Sequence, residues 1–489
     1  MSNFVVGVGG SGAKFVASLL HVSAAGMLGA RNPVIDALLV DPDENNGNVE
    51  DCLRLVAQYQ DCKTLLKMGK TDLFGAHFRI AGPWTPISRP DLDSLDKLFQ
   101  YPDLQARDDV DAELLDVFFE PAELSLPLKL GFRGRPAIGS TVFANSVNFT
   151  RGAWKDLIEA IVMSGAQGPV RVMLSGSVFG GSGAAGVPTL VRLVEKQIAR
   201  RVPDLRIGLA LFLPYFRFQP VEGERVQADP AAFPIATAES LRYYFARNYL
   251  GICDTIYACG EEVPAEMSVS AIGAQLQRNE PHFVELIAAM GALRFFNLAG
   301  DDHKLAVCAR AKDETLTWDD LPYDDTGRAE LTRKLQKMAL FAVAYRNIFF
   351  PLAETALAGR GSNWNPWVDH IERPKVNRDE AGRALRALKA YVDSFLTWLL
   401  CVSTPRRQAF QPGLVNPNVF AVATPQGWQL KAPGQFRDED LSQLLLNRPA
   451  RARIDVKTVN SKAAAKVSDP DAAGPGRLAR ALYDACEVE

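Results

Sequence analysis

The sequence predicts an α/β fold built on a Rossmann-type parallel sheet with helices on both faces. Three observations lead there. Short apolar runs alternate with longer helix-like segments, glycine-rich loops follow two of the runs, and 489 residues are too many for one ordinary core.

Taken in order, residues 3–8 form an apolar run ending in glycines and read as a buried strand, followed by a helix over 13–28. A second strand over 34–40 is closed by Asp41-Pro42-Asp43. Residues 44–128 are polar, with helix-like pieces and proline breaks, and read as an elaborated excursion. Alternation then resumes, with helices over 154–164, 186–201 and 236–249 and strands over 170–175, 205–213 and 254–259. Strands alternating with helices imply parallel pairing, because each crossover carries the chain back to the same end of the sheet. Further helices are expected over 281–297, 331–357 and 383–400, with a short strand at 305–309. Residues 452–459 read as strand-like, 461–476 as a linker, and 477–488 as a terminal amphipathic helix. Trp364 and Trp367 read as packing residues.

Composition excludes several classes. The formal net charge of −3 provides no global basic field for nucleic acid. The seven cysteines are odd in number and form no CxxC pair, which speaks against a disulfide framework or a zinc ribbon and fits a reducing cytoplasm. No uninterrupted apolar run is long enough to span a bilayer, and the N-terminus lacks the basic start of a signal peptide.

The chemistry lies in the loops. Gly7-Val8-Gly9-Gly10-Ser11-Gly12-Ala13-Lys14 joins a strand to a helix, where free N–H groups and the helix dipole favour an anion. It is no Walker loop, since no Gly-Lys-Ser/Thr ends it. Alone it also fits a dinucleotide fingerprint, with Asp41 or Asp43 meeting a ribose hydroxyl, and, as the lesser reading, a tight structural turn. A second such turn, 175–186, contains Gly180, Gly181, Ser182 and Gly183 and also leads from strand to helix. Two such loops suggest a polyphosphate gripped from both sides. Between them Gly131, Arg133 and Gly134 form a basic turn suited to a terminal phosphate, although that piece alone reads as a solvated turn.

Together these pieces resemble the tubulin/FtsZ family, closest in overall look to a divergent bacterial tubulin-like branch. Residues 7–14 are similar to the family's GVGGGGGN, Asp41-Pro42-Asp43 stands at its Asn-Thr-Asp turn, and Leu130 to Gly139 resembles LGAGGNPEIG. Phe179 to Pro188 is similar to GGGTGTGAAP, Pro214 to Phe218 resembles KPFFFEG with Glu222 and Glu224 slightly later, and Cys253 to Glu261 is similar to VDTLIVIPN. The order is kept throughout, over roughly the first 260 residues.

The resemblance implies a nucleotide-binding domain over 1–262 with its excursion at 44–128, a connector and central helix over 263–300, and a second α+β domain over 301–489 with a C-terminal extension. It implies GTP or GDP as ligand, with Mg2+ as a companion. Gly9, Gly10, Ser11 and Gly12 would hold phosphates together with Gly180, Gly181, Ser182 and Gly183. Asp41 or Asp43 would orient a magnesium-bound water or the sugar, and the loop of Gly131, Arg133 and Gly134 would sense the terminal phosphate. Glu222 or Glu224 would accept from the ribose. Glu261 stands where the family reads the base with asparagine, and a carboxylate accepts from guanine N1–H and N2. His282 and Glu285 share a helix face, as a base contact, a helix cap or a metal pair; no residue set is assigned to a metal.

Family members complete hydrolysis with an acidic loop from a neighbouring copy. Here Asp301-Asp302 or, preferred, Asp319 and Asp320 follow the central helix, though neither keeps the family's NxDxxE pattern. The expected function is a cytoplasmic, self-associating GTP-binding protein that hydrolyses GTP. The rivals are a non-hydrolysing nucleotide-binding scaffold or sensor and, more distantly, a Rossmann oxidoreductase. An additional protein partner stays open; nucleic acid and a membrane span are not expected.

Overall fold

Val5, Val6 and their neighbours on the first strand are fully buried on both sides, as a central parallel strand requires. The computed structural model of the chain describes residues 2–28, 33–43, 45–87, 89, 91–217, 230–261, 265–266, 278–297, 305–308, 316–359, 367–372, 377–403, 413–424, 427–446, 454–464, 469 and 471–488. Its strands are β1 (Ser2–Val8), β2 (Val34–Val40), β3 (His77–Trp84), β4 (Val170–Ser177), β5 (Leu205–Phe212), β6 (Phe216–Arg217), β7 (Thr255–Cys259), β8 (Ala265–Glu266), β9 (Leu305–Cys308), β10 (Ala421–Thr424) and β11 (Gly427–Leu430).

Seven of them form one sheet in the order β3-β2-β1-β4-β5-β7-β9, every neighbouring pair parallel. From β1 the chain builds outward first through β2 and β3, then returns and builds the other way through β4, β5, β7 and β9. The order therefore reverses between β1 and β4, where the loops leaving the two carboxyl ends diverge.

Side chains alternate across the sheet. Val5, Ile35, Met173 and Ala210 face one side, covered by α1 (Gly9–Ala24), α2 (Gly47–Leu65) and the central helix (Phe283–Asn297). Phe4, Val6, Val172 and Leu209 face the other, covered by the helices Pro136–Ser146, Gly152–Gly165 and Gly181–Ile198. A further layer lies outside the first face. The helix Arg378–Ser403 packs on α1 and α2: His21 stacks on Trp398 with ring centroids 4.8 Å apart, and Trp398 Nε1 donates to Ser18 Oγ at 3.1 Å. The helices Asp325–Ala344 and Gly474–Ala485 belong to the same apolar cluster, so residues beyond 301 share a continuous core with the first two helices.

Two features differ from expectation. The 44–128 stretch contributes β3, an edge strand of the main sheet. Residues expected as strand-like around 452–459 include the start of a helix, Val456–Ala463, whose N-cap Asp455 accepts from Thr458 N. Trp367 is a core residue as expected, fully buried against Phe349; Trp364 and Asp301-Asp302 lie outside the described residues. No described helix is long and apolar enough to cross a membrane.

Candidate functional site

Three helix N-termini meet where the strand order reverses. α1 starts at Gly9, immediately after β1. The helix Gly181–Ile198 starts after β4, and the helix Pro136–Ser146 follows the basic turn. None of the three has a side-chain cap and none has an acidic residue in its first turn. Helix starts leave N–H groups without intrahelical partners and carry partial positive charge, which Ser, Thr, Asp or Glu ordinarily satisfies. Here no side-chain cap and no first-turn carboxylate meets those groups.

The loops touch one another, and at Gly181 closely enough that a side chain is excluded. At Gly9, with φ +73°, a Cβ would stand 3.4 Å from Ser182 Cβ. At Gly181 it would stand 2.9 Å from Phe132 Cβ and 3.0 Å from Gly134 N, so the second and third loops are in contact. At Gly12 and Gly183 it would strike backbone, at 2.6 Å from Gly7 C and 2.5 Å from Ser177 N, which makes these two glycines requirements of the strand-to-helix turns themselves. Gly10, Ser11, Gly180, Gly181 and Ser182 remain partly exposed at the surface of this junction.

The third loop bends sharply. Gly131, Arg133 and Gly134 all have positive φ, at +84°, +48° and +74°. For Arg133 this left-handed conformation costs on the order of 1–2 kcal/mol, and such strain gathers at binding loops. Arg135, beside it, is ion-paired with Glu123.

Asp41 and Asp43 are both buried, at 2% and 3% exposure. Asp41 Oδ1 accepts from Asp43 N at 2.9 Å and Oδ2 from Asn46 Nδ2 at 3.4 Å, while Asp43 Oδ1 accepts from Asn45 N at 3.0 Å. Burial pushes the Asp41 carboxyl up to about 8, against the opposing pull of the Asp43 N–H. The two side chains thus order the turn after β2. Asn46 caps α2 by accepting from Asn48 N, and a Cβ on Gly10 would stand 2.8 Å from Asn48 Nδ2. These asparagines were not among the expected site residues; their signal is the Asn-Gly-Asn at 46–48, an N-cap signature directly before a helix.

Glu285 is placed differently from a base contact. It is fully buried, with its carboxylate 2.5 Å from Lys14 Nζ. Tyr215 Oη donates to its Oε1 at 2.9 Å and His282 N to its Oε2 at 3.0 Å. Ser11 is hydrogen-bonded to Tyr215 in turn, and burial and the Glu285 charge hold the Tyr215 hydroxyl well above its ordinary range. Glu285 therefore works from behind the first loop, tying α1 to the start of the central helix. Glu261 follows β7, with its Oε2 3.3 Å from His282 Nε2. Lys14, Tyr215 and His282 complete this network, and the buried Lys–Glu pair joins residues 271 positions apart, a contact that local spacing does not reveal.

Asp319 and Asp320 form a single turn whose geometry is a cap: Asp320 Oδ2 accepts from Thr317 N at 2.6 Å, and Thr317 Oγ1 accepts from Asp319 N at 3.3 Å. The Asp319 side chain is exposed. Trp318 packs on Phe283 at the start of the central helix, with ring centroids 5.1 Å apart. Glu222 and Glu224 lie outside the described residues.

No protein-family model matches the chain, and no curated protein matches it. The functional reading therefore rests on the geometry of the loops.

Proposed function

We propose that the chain binds a nucleoside di- or triphosphate, with guanine preferred, across the junction of its three loops in the manner of the tubulin/FtsZ family. One observation carries the reading. Three uncapped, acid-free helix starts, from residues far apart in sequence, converge at the carboxyl edge of a parallel sheet where the strand order reverses. Their combined N–H groups and dipoles suit several negative charges at once, as a polyphosphate supplies. Arg133 adds a guanidinium on the third loop. Mg2+ would neutralise phosphate charge, and Asp43 with an ionised Asp41, on the second-strand turn, would be the carboxylates to meet it. Glu261, beside His282, is the base-reading candidate. Self-association in the cytoplasm, with the exposed Asp319 supplied to a neighbour's nucleotide, is the corresponding route to hydrolysis.

A second reading, a non-hydrolysing nucleotide-binding scaffold, is favoured by one detail: Asp320 already spends its carboxylate on Thr317. Calorimetry with GTP, GDP, ATP and NAD tests the binding, with GTP or GDP expected tightest; preference for NAD, or no binding to any of the four, refutes it. Phosphate release across a protein dilution series separates the two readings. Turnover per molecule that rises with concentration and vanishes in Asp319→Ala supports trans hydrolysis, and no turnover at any concentration supports the scaffold.

A further inference from the structure

Two thiols face each other at one edge of the main sheet. β9 ends the strand order and, among the described residues, pairs only with β7. In that pairing Cys259 stands directly opposite Cys308. Opposed residues of parallel strands share a side of the sheet, and both belong to the apolar cluster that includes the central helix. Neighbouring strands lie about 4.8 Å apart, within the Cα separation of about 4.4–6.8 Å that a disulfide spans. The closer approach that a disulfide asks of the Cβ atoms falls to β9, a strand of four residues held from one side. The other cysteines lie elsewhere: Cys52 and Cys62 on α2, Cys253 before β7, Cys401 on the helix Arg378–Ser403, and Cys486 after the helix Gly474–Ala485.

The two thiols are not equivalent. Cys308 keeps 7% of its surface exposed and Cys259 none. Cys259 donates to Cys308 and holds it below the ordinary thiol range, with Arg294 pulling the same way against burial and the Asp320 charge. The same bond, together with burial, holds Cys259 well above that range. The thiolate is the nucleophile, so Cys308, more acidic and nearer solvent, meets an oxidant first. Cys259 stands beside it as the resolving thiol.

We propose that Cys259 and Cys308 close into a reversible disulfide when the chain meets a hydroperoxide, forming a clasp that pins β9 to β7. The Cys308 thiolate attacks one oxygen of hydrogen peroxide and the O–O bond breaks. The departing oxygen leaves as water with the Cys308 proton, and Cys308 becomes a sulfenic acid. The Cys259 sulfur then attacks Cys308 Sγ, the S–O bond breaks, and a second water leaves with the Cys259 proton. The two sulfurs together lose two electrons and the peroxide gains them. In a reducing compartment the pair rests as two thiols, so the clasp closes only under oxidant and reopens by exchange with a small thiol. It would join two parts of the candidate site, since Glu261 follows Cys259 by two residues and the Asp320 charge acts on Cys308. The chemistry of the pair does not rest on nucleotide binding.

Peptide mapping of the full chain tests it. The reduced protein is treated with hydrogen peroxide, its remaining thiols are blocked with N-ethylmaleimide, and the digest is read by mass spectrometry. Oxidation is expected to consume two of the seven thiols, to link Cys259 with Cys308, and to be reversed by dithiothreitol. Hydrogen exchange over β9 is expected to slow at least tenfold in the linked chain. Cys259→Ser removes the resolving thiol, so dimedone is expected to trap a sulfenic acid on Cys308; Cys308→Ser is expected to give no trapped Cys259. Absence of the link, a link from either residue to another cysteine, dimedone on Cys259 instead of Cys308, or unchanged exchange over β9 overturns the proposal. The mapping uses the unaltered chain, so it decides even if a serine variant fails to fold. None of these readouts involves nucleotide, so failure here leaves the binding reading to its own test.

Discussion

Glu285 and Lys14 illustrate what a single buried pair does for a loop. Neither charge reaches solvent, and their attraction offsets desolvation only because Tyr215 and His282 supply further hydrogen bonds. Glu285→Gln leaves Lys14 buried beside a neutral amide and is expected to cost about 3–5 kcal/mol. Glu285→Leu with Lys14→Met is expected to recover most of it, measured by urea unfolding; equal losses in single and double variants would refute the pairing. Two other buried groups give opposite pH signatures. Burial holds His21 at about 3, below its ordinary 6.5, so it is neutral when folded and protonates readily when unfolded. Its contribution is present above about 6.5 and is lost as pH falls toward 3. Asp41, raised to about 8, keeps its proton when folded, so its contribution is present below about 4 and is lost as pH rises through 8. His21→Gln should flatten the acid side of a stability–pH curve and Asp41→Asn the alkaline side, read from denaturant midpoints. If Asp41 meets a cation in the complex, magnesium-nucleotide binding at pH 7 should also release a proton, measurable by calorimetry in buffers of different ionisation enthalpy.

At the scale of elements, the second loop offers the sharpest test. Gly181→Val would drive its side chain into Phe132 and Gly134, separating the second and third loops while β4 and its helix stay in place. Nucleotide affinity is expected to fall at least tenfold with little change in melting temperature; unchanged affinity would make the contact a packing detail. The same elements mark what is legible in the sequence. β1, β2, β4 and β5 announce themselves as unbroken apolar runs because central parallel strands are buried on both faces. β3 does not, since an edge strand that alternates exposed His77 and Arg79 with Phe78 and carries Gly82-Pro83 just before its last residue reads like the polar stretch around it. The helix Val456–Ala463 is obscured differently. Ile454, Val456 and Val459 mix both periodicities over too short a window, and the Asp455 cap is the better signal. Each glycine loop is legible alone, but their contact is not. Helices starting at Gly9 and Gly181, several residues earlier than apolar periodicity indicates, turn the glycines into first-turn residues of helices without a side-chain cap.

For the whole molecule, the controlling fact is the apolar layer that joins distant parts of the chain. Tyr391 packs edge-on against Phe74 and Tyr59, its hydroxyl lies 3.2 Å from His21 Nδ1, and Tyr483 Oη donates to the Ala25 carbonyl at 3.0 Å. A core shared in this way is expected to melt in one calorimetric transition, with van't Hoff and calorimetric enthalpies in agreement. Two resolved transitions would separate the N-terminal sheet from the later helices. The same layer has a consequence during synthesis. α1 and α2 leave the ribosome first, yet the helix that covers them begins about 300 residues after α2 ends. At roughly 5–20 residues per second, their outer faces stay bare for on the order of 15–60 s. That is ample time for adhesion to other nascent chains, so the yield of soluble protein should depend on chaperones that shelter an unfinished N-terminal half.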